Sequence, residues 1–440
     1  MQVAERVRKV TYPIRDVVEV AKRLQNIRHP TRDIIPTAQK IGGKTSGALG
    51  QEMIWLNIGD SNENDFDKPD YVKKALVKAL ENRMGGYADS SGYLPLRKAV
   101  AEGNKRKGFD TPAEKILVTS GTSEATNMLY GCLLNPGDAA LVPSPCYPQY
   151  ENMAYYYGAE PLFYELDEEN NFQPDFDSLE KIVEKTNGEN GGSKKGKNKI
   201  KLLVAINPNN PTGAVMEEKT VRKLVEFAGE HGLLLVSDEI YDEMVFGKKP
   251  RAAASLSNDV PTVTLNGLSK NFLAPGWRVG WASFSNFEDD ALINAVAQLC
   301  RLRLSASYPA QFAAAEALNN TGEYEIERKK MVEKLRARRD LAYQRLNELP
   351  GVSCAKPEGA FYAFPQLHDG GGEMGRKGVW EDDKKFVYEL LEQQRVVTVF
   401  GSGFAQKPGT KHFRIVFLPQ EKVLEEAFSR MEKFLKSKGF

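Results

Sequence analysis

The chain has 440 residues, enough at roughly 100–200 residues per domain for two or three domains with ample core. Hydrophobic residues make up 41% and charged residues 27%, a globular balance, and Lys plus Arg (60) nearly equals Asp plus Glu (59), which gives no general pull toward nucleic acid or an anionic membrane. No apolar run reaches the roughly 20 residues that span a bilayer, and four histidines without ligand spacing argue against a metal centre.

The opening stretch, MQVAERVRKVTYPIRDVVEV, mixes both charge signs and lacks the apolar run of a secretory signal. Four scattered cysteines without a CxxC pair suit free thiols in a reducing cytoplasm, and a cytoplasmic protein is expected. Residues 13–27 read as an amphipathic segment and IGGKTSGALG (41–50) as a mobile loop. VKKALVKALEN (72–82) has helical periodicity. Short apolar runs then alternate with helical patterns. The runs are KILVT (115–119), AALVP (139–143), KLLVAIN (201–207), LLLVSD (233–238) and TVTLN (262–266). The helical patterns cover 123–134, 148–157, 176–185 and 218–231. This alternation predicts an α/β fold with a mostly parallel sheet covered by helices on both faces. TNGENGGSKKGKNK (186–199) has no aromatics and reads as a solvated loop, not a nucleic-acid patch. Residues 323–348 predict a long charged helix. Strand candidates near 360–364, 395–400 and 412–418 and a final helix (420–436) suggest a smaller α+β domain. The expected division is an N-terminal arm with part of the small domain (1–58), a large domain (59–315) and a C-terminal small domain (316–440).

In such sheets ligands sit beyond the carboxyl ends of the strands. After KILVT comes SGTSEATNM (120–128), whose small and hydroxyl residues expose helix-start N–H groups to an anion. A plain N-cap by Ser120 or Thr122 is the simpler reading of that stretch alone, and it is neither GxGxxG nor a P-loop. After AALVP, Tyr147 between two prolines in SPCYPQY offers a rigid aromatic face, or ordinary packing. After KLLVAIN, PNNPTGAV (208–215) fixes an irregular turn with definite amide directions. After LLLVSD comes EIYDEMVF. Asp238 ends a strand buried on both faces and needs a cationic partner, and Tyr241 shares its side of the helical turn that follows. After TVTLN comes GLSKNFLAPGWRVGW, where Lys270 is either a surface lysine or a desolvated amine suited to carbonyl chemistry. Together these strand ends offer an anion site, an aromatic face, an amide, a carboxylate, a phenol and an amine. Pyridoxal 5′-phosphate needs all of them.

The combination NPNNPTG (207–213), SDEIY (237–241) and SKNFLAPGWRVGW (269–281) resembles the fold-type I, pyridoxal phosphate-dependent aminotransferases of class I/II, from about residue 55 to the end. YPIRDVV (12–18), LNIGD (56–60), NGLSK (266–270), RLRLSASYPAQFAA (301–314) and HFRIVFLP (412–419) resemble the alanine aminotransferase branch of archaea and bacteria. The resemblance implies that Lys270 binds the cofactor aldehyde and moves the substrate proton. Asp238 would pair with the pyridine nitrogen, and Asn210 and Tyr241 would bond the phenolic oxygen. Tyr147 would stack on the ring. Gly121, Thr122, Ser123, Ser269 and Arg278 would hold the phosphate. Tyr87 would reach the phosphate of the neighbouring subunit's cofactor, which implies a homodimer with shared sites. Arg414 would clamp the substrate α-carboxylate, helped by Asn210 and the backbone of Gly59. Tyr12 would close over a small side chain, and Arg15 would meet the second carboxylate of glutamate, with Arg301 and Arg303 as rival cations. Gly267 and Ser305 stand where relatives often have serine and cysteine, and 28–50 and 186–199 look longer than usual. The expected reaction is ping-pong exchange of an amino group between alanine and 2-oxoglutarate. The alternatives are aromatic or broad amino-acid specificity, C–S lysis, and a non-enzymatic cofactor-binding regulator.

Overall fold

The computed structural model describes residues 4–26, 52–188, 200–368 and 379–440. The expectations for 28–50 and 186–199 therefore fall almost wholly outside the described residues. An eight-stranded sheet organises the chain. Its order across the sheet is Ile116–Thr119, Gly280–Ser285, Thr262–Gly267, Leu234–Asp238, Ile200–Ile206, Ala139–Ser144, Glu160–Asp167 and Gln173–Pro174. Neighbours from Thr262–Gly267 to Glu160–Asp167 pair in parallel, while Gly280–Ser285 runs antiparallel to both of its neighbours. The branched apolar runs are buried along almost their whole length, as strands covered on both faces must be.

The helices Thr122–Leu133, Pro148–Tyr156, Phe176–Gly188 and Glu218–Glu230 fall on the predicted patterns. The strands Glu160–Asp167 and Gly280–Ser285 were not predicted. The first, EPLFYELD, mixes charges with its apolar residues, and the second, GWASFS, combines aromatic with small residues and has no branched residue.

The smaller region holds the 28-residue helix Thr321–Glu348, the final helix Glu421–Ser437 and short strand pairs. Phe413–Val416 lies between Tyr362–Ala363 and Val399–Phe400, antiparallel to both. Ile54–Trp55 pairs in parallel with Val396–Val397, so these early residues pack into this region. The helix Pro13–Asn26 is anchored just before its start. Asn152 accepts from the Thr11 backbone N–H at 3.0 Å and donates to the Thr11 carbonyl at 2.6 Å. These bonds hold Tyr12 beside Tyr147.

Two glycines set the distance between the strand that leads to Lys270 and the loop that opens the helix Thr122–Leu133. Gly267 and Gly280 are paired across adjacent strands. A Cβ on Gly267 would lie 2.7 Å from the Val279 carbonyl oxygen, so a serine there would force the strands apart. A Cβ on Gly280 would lie 2.7 Å from both Gly121 C and Thr122 N. We predict that Gly280→Ala destabilises the protein by about 1–3 kcal/mol, the usual range for overpacking, and weakens inorganic phosphate binding. A thermal midpoint and phosphate affinity equal to wild type would refute the close approach.

Candidate active site

The strand ends open into a cleft of about 440 Å³. Its lining contains Tyr12, Arg15, Gly59, Thr122, Ser123, Tyr147, Asn210, Asp238, Tyr241, Ser269, Lys270, Arg278 and Arg414. Residues from over 400 positions of sequence thus meet in one place. Gly121 stands at the edge as the residue before the helix.

Lys270 follows the strand Thr262–Gly267 and donates to the Gly59 carbonyl at 2.9 Å. Its ammonium lies 5.7 Å from the Tyr241 ring centroid and 5.3 Å from that of Phe361. Burial is the main cause that lowers its pKa to about 8; nearby Asp60 opposes this and Arg414 adds to it. Roughly a tenth of the amine is therefore uncharged at pH 7, far more than for an ordinary lysine.

Asp238 closes its strand, buried, and accepts a 2.6 Å hydrogen bond from the Tyr150 hydroxyl and one of 3.2 Å from the Ile240 N–H. The expected cation is absent: among the described residues none lies within ion-pair distance of this carboxylate. Burial pushes its pKa up to about 6, against the two hydrogen bonds. Tyr241 follows in a hydrogen-bonded turn, not a helix, and its hydroxyl lies 2.8 Å from that of Tyr362.

Arg414 comes from the strand Phe413–Val416 and is 1% exposed. Its guanidinium donates to Asn210 Oδ1 at 3.0 Å and to the Asn57 carbonyl at 2.6 Å, and lies 4.7 Å from the ring centroids of both Tyr362 and Phe404. Every one of these partners is neutral, and Nε has no partner. Because Asn210 accepts through Oδ1, its amide nitrogen is left to donate into the cleft.

The helix Thr122–Leu133 begins without a side-chain cap, after Gly121 at φ +81°. Its first-turn N–H groups face the cleft from the positive end of the helix. Arg278, itself left-handed at φ +55°, donates to the Pro275 and Ser120 carbonyls at 2.9 and 3.1 Å. Its guanidinium lies so close over Gly121 that a Cβ there would come within 2.4 Å of it. Tyr12 and Tyr147 join hydroxyls at 2.8 Å, and the exposed Arg15 sits on the rim.

Three predicted residues lie elsewhere in the single chain. Tyr87 is 80% exposed and does not line the cleft. Arg303 is tied to the Val118 carbonyl at 2.9 Å and to Glu124 at 3.4 Å, and Arg301 is exposed on another helix. Conversely, Tyr150, Tyr362 and Asp60 contribute without having been singled out. Tyr150 had a signal, since it lies three residues after Tyr147 on the helix that begins there. Asp60 ends the LNIGD stretch, of which only Gly59 was assigned. Tyr362 had no local signal.

The match to a family model confirms what the cleft suggests: residues 51–431 fit aminotransferase class I and II, and the chain belongs to that family. It is 36% identical to an alanine aminotransferase of Mycobacterium tuberculosis over 89% of this chain and 87% of the relative. It is 34% identical to aromatic-amino-acid aminotransferase 2 of Thermococcus litoralis, over 88% of this chain and 92% of the relative. The solved alanine aminotransferase from Pyrococcus furiosus superposes with a TM-score of 0.85 at 39% identity, covering 99% of this chain and all of that one. The protein is an aminotransferase that works with pyridoxal phosphate, on amino acids and 2-oxo acids. Its cleft fits that group. A buried carboxylate without a cation suits a protonated ring nitrogen, uncapped helix N–H groups beside Arg278 suit a phosphate, and a partly neutral amine suits an aldehyde. Among the described residues no helix is long and apolar enough to cross a membrane.

We predict that borohydride treatment of the pyridoxal phosphate-loaded protein adds the cofactor's mass to the Lys270 peptide, and that Lys270→Ala abolishes the adduct and nearly all transamination. The rate of attachment to the cofactor-free protein should rise with pH through a midpoint near 8, where burial places this amine. A midpoint near the ordinary lysine value would mean that the amine is solvated.

Proposed function

We propose that the chain transfers amino groups between alanine and 2-oxoglutarate, forming pyruvate and glutamate. The observation that carries the reading is Arg414, a buried guanidinium held only by neutral acceptors at the floor of the cleft, with the exposed cation Arg15 on the rim. A buried cation without an anion is costly, and an α-carboxylate common to all substrates supplies one. Bound pyridoxal phosphate contributes a conjugated ring that accepts the electron pair released at the substrate Cα.

The chain's own groups do the rest. Lys270 anchors the cofactor and, once displaced, carries the proton from Cα. Asp238 keeps the ring nitrogen protonated, oriented by Tyr150. Asn210 donates its amide nitrogen, and Tyr241 its hydroxyl, to the phenolic oxygen. Gly121, Thr122, Ser123, Ser269 and Arg278 hold the phosphate. Tyr147 covers the ring, and Tyr12, bonded to it, closes over the methyl of alanine, while the Gly59 backbone helps to hold the substrate. Glutamate brings a second carboxylate, which Arg15 meets from the rim. The exposed Tyr87 completes the site of a second copy, in a cytoplasmic homodimer. The division at 58 and 315 belongs to the same reading. A second reading, aromatic amino acids, is favoured by the T. litoralis relative at nearly the same identity.

A screen of purified protein against alanine, glutamate, aspartate and aromatic donors, scoring 2-oxo acid product, tests the choice. Alanine should lead, and turnover of aromatic donors without alanine would replace this reading with the second. Arg414→Lys should raise KM for both substrate pairs, because a point charge cannot replace the planar fork. Arg15→Ala should raise KM for glutamate and 2-oxoglutarate by about 1–3 kcal/mol in binding and leave alanine and pyruvate nearly unchanged. Equal losses for both pairs would make Arg15 structural.

For the dimer, mixing inactive Tyr87→Ala with inactive Lys270→Ala should regenerate activity, because one hybrid site has both wild-type residues. No recovery after verified subunit exchange would show sites built from a single chain.

A further inference from the structure

Lys270 leaves its strand on a turn that sheet pairing no longer supports. Leu268, two residues earlier, still donates to the Val279 carbonyl at 3.0 Å, and the turn closes when Leu273 N–H donates to the Lys270 carbonyl at 3.0 Å. Across from it stands the turn that carries Asp238 and Tyr241. Two side-chain bonds join the two segments. Asn266 Nδ2 donates to the Glu239 carbonyl at 2.9 Å, before the lysine. Asn271 Nδ2 donates to Asp242 Oδ1 at 2.7 Å, directly after it. Asn271 and Asp242 are 7% and 5% exposed.

Asp242 has no place in the cleft, yet it is a buried carboxylate that keeps its charge. Burial opposes that charge, but Lys107, from just beyond the helix Leu94–Arg106, donates to its other oxygen and holds the carboxyl below its ordinary range. A charged acceptor makes the stronger hydrogen bond, so the ion pair anchors Asn271. The remaining oxygen of Asn271 has no hydrogen-bond partner, which leaves Asp242 as the bond that fixes this amide.

We propose that Asp242, held by Lys107, is a positioning residue that acts through Asn271 to fix the Lys270 amine relative to Asp238 and Tyr241. A misplacement of about 1 Å can cost up to about 100-fold in rate. Asn62 Nδ2 also bonds the turn, donating to the Leu273 carbonyl at 3.1 Å, but the bond from Asn271 to Asp242 is the one next to the lysine and the one that ties it to the segment of Asp238 and Tyr241. Arg414 lies on a different strand outside this clamp, so substrate capture is independent of it. The inference rests on Lys270 as the attachment point, which the mass of the trapped peptide reports separately.

The test compares Asn271→Ala, Asp242→Ala and the double variant with wild type, using the purified full chain. Stopped addition of pyridoxal phosphate to the cofactor-free protein, followed by borohydride and mass measurement of the Lys270 peptide, gives the attachment rate; steady-state assays give kcat and KM. Attachment at Lys270 should slow about tenfold in each single variant, with kcat falling alongside it and KM for alanine within about twofold of wild type. The double variant should be no slower than Asp242→Ala, because both changes cut one path. Asn271→Ala keeps the Lys107–Asp242 pair, so it decides the matter even if Asp242→Ala does not fold. Wild-type attachment and kcat in Asn271→Ala, or a lowered thermal midpoint with both rates intact, would overturn the proposal. So would additive losses in the double variant. An adduct at another lysine in wild type would instead overturn the assignment of Lys270.

Discussion

The cleft is governed by desolvation of charges that the chain does not neutralise for itself. Among the described residues no cation lies within ion-pair distance of Asp238 and no anion bonds Arg414, and Lys270 sits close to the Tyr241 and Phe361 rings. The consequences for stability have opposite pH directions. A carboxyl raised to about 6 favours the folded chain only while protonated, so stability falls as pH rises from the unfolded value toward 6. An amine lowered to about 8 favours the folded chain only while neutral, so stability falls as pH drops from the unfolded value toward 8. At neutral pH both groups oppose folding of the bare chain. A ligand that brings a cationic ring nitrogen, an aldehyde and an anion relieves the strain, and its binding therefore stabilises the fold by mass action.

Such a site needs a scaffold stiff enough to hold uncompensated charge without collapse. The sheet provides it. Three parallel pairings bring four strand ends to one edge, and each end delivers one group: Tyr147 after Ala139–Ser144, Asn210 after Ile200–Ile206, Asp238 at the end of Leu234–Asp238, Lys270 after Thr262–Gly267. The antiparallel strand Gly280–Ser285 then runs back through the sheet. That reversal lets Arg278, just before it, lean over the loop that opens the next strand's helix. The glycine pair 267 and 280 keeps these backbones in contact, and Gly121 has no room for a side chain because the Arg278 guanidinium lies over it.

The parts of this arrangement that were legible in the sequence are those with a local cause. Branched apolar runs predicted the buried parallel strands because such strands must be apolar on both faces. The groups after them were legible because strand ends are where the sheet opens. Strands with a different local chemistry escaped notice: EPLFYELD has polar positions, and GWASFS has two serines and no branched residue, with only Gly280 small because it meets backbone. Burial alone called for a cation at Asp238; among the described residues no side chain supplies it, and the resemblance gives that place to the ring nitrogen of the cofactor. The carboxylate is stabilised by a phenol from Tyr150, a residue 88 positions away, and its remaining demand is directed into the cleft. Long-range pairs of this kind, Tyr241 with Tyr362 or Arg414 with Asn210, leave no periodic trace in the chain.

On the proposed alanine–glutamate reading, the two arginines at the cleft differ in a way that suits its two demands. Arg414 is locked by two hydrogen bonds and packed between two rings, so little conformational freedom remains to be lost when a carboxylate arrives. That rigidity is useful for a group present on every substrate. Arg15 is exposed on the helix Pro13–Asn26, whose opposite face is buried through Ile14, Val17 and Ala21. A solvated guanidinium there keeps its hydration when the substrate carries no second carboxylate, so it imposes little penalty on alanine. Had the positions been exchanged, a buried cation would face the methyl of alanine unpaired, at the several kcal/mol that an uncompensated buried charge costs. The asymmetry between a locked and a free arginine thus gives one cleft a physical route to two substrates of different charge.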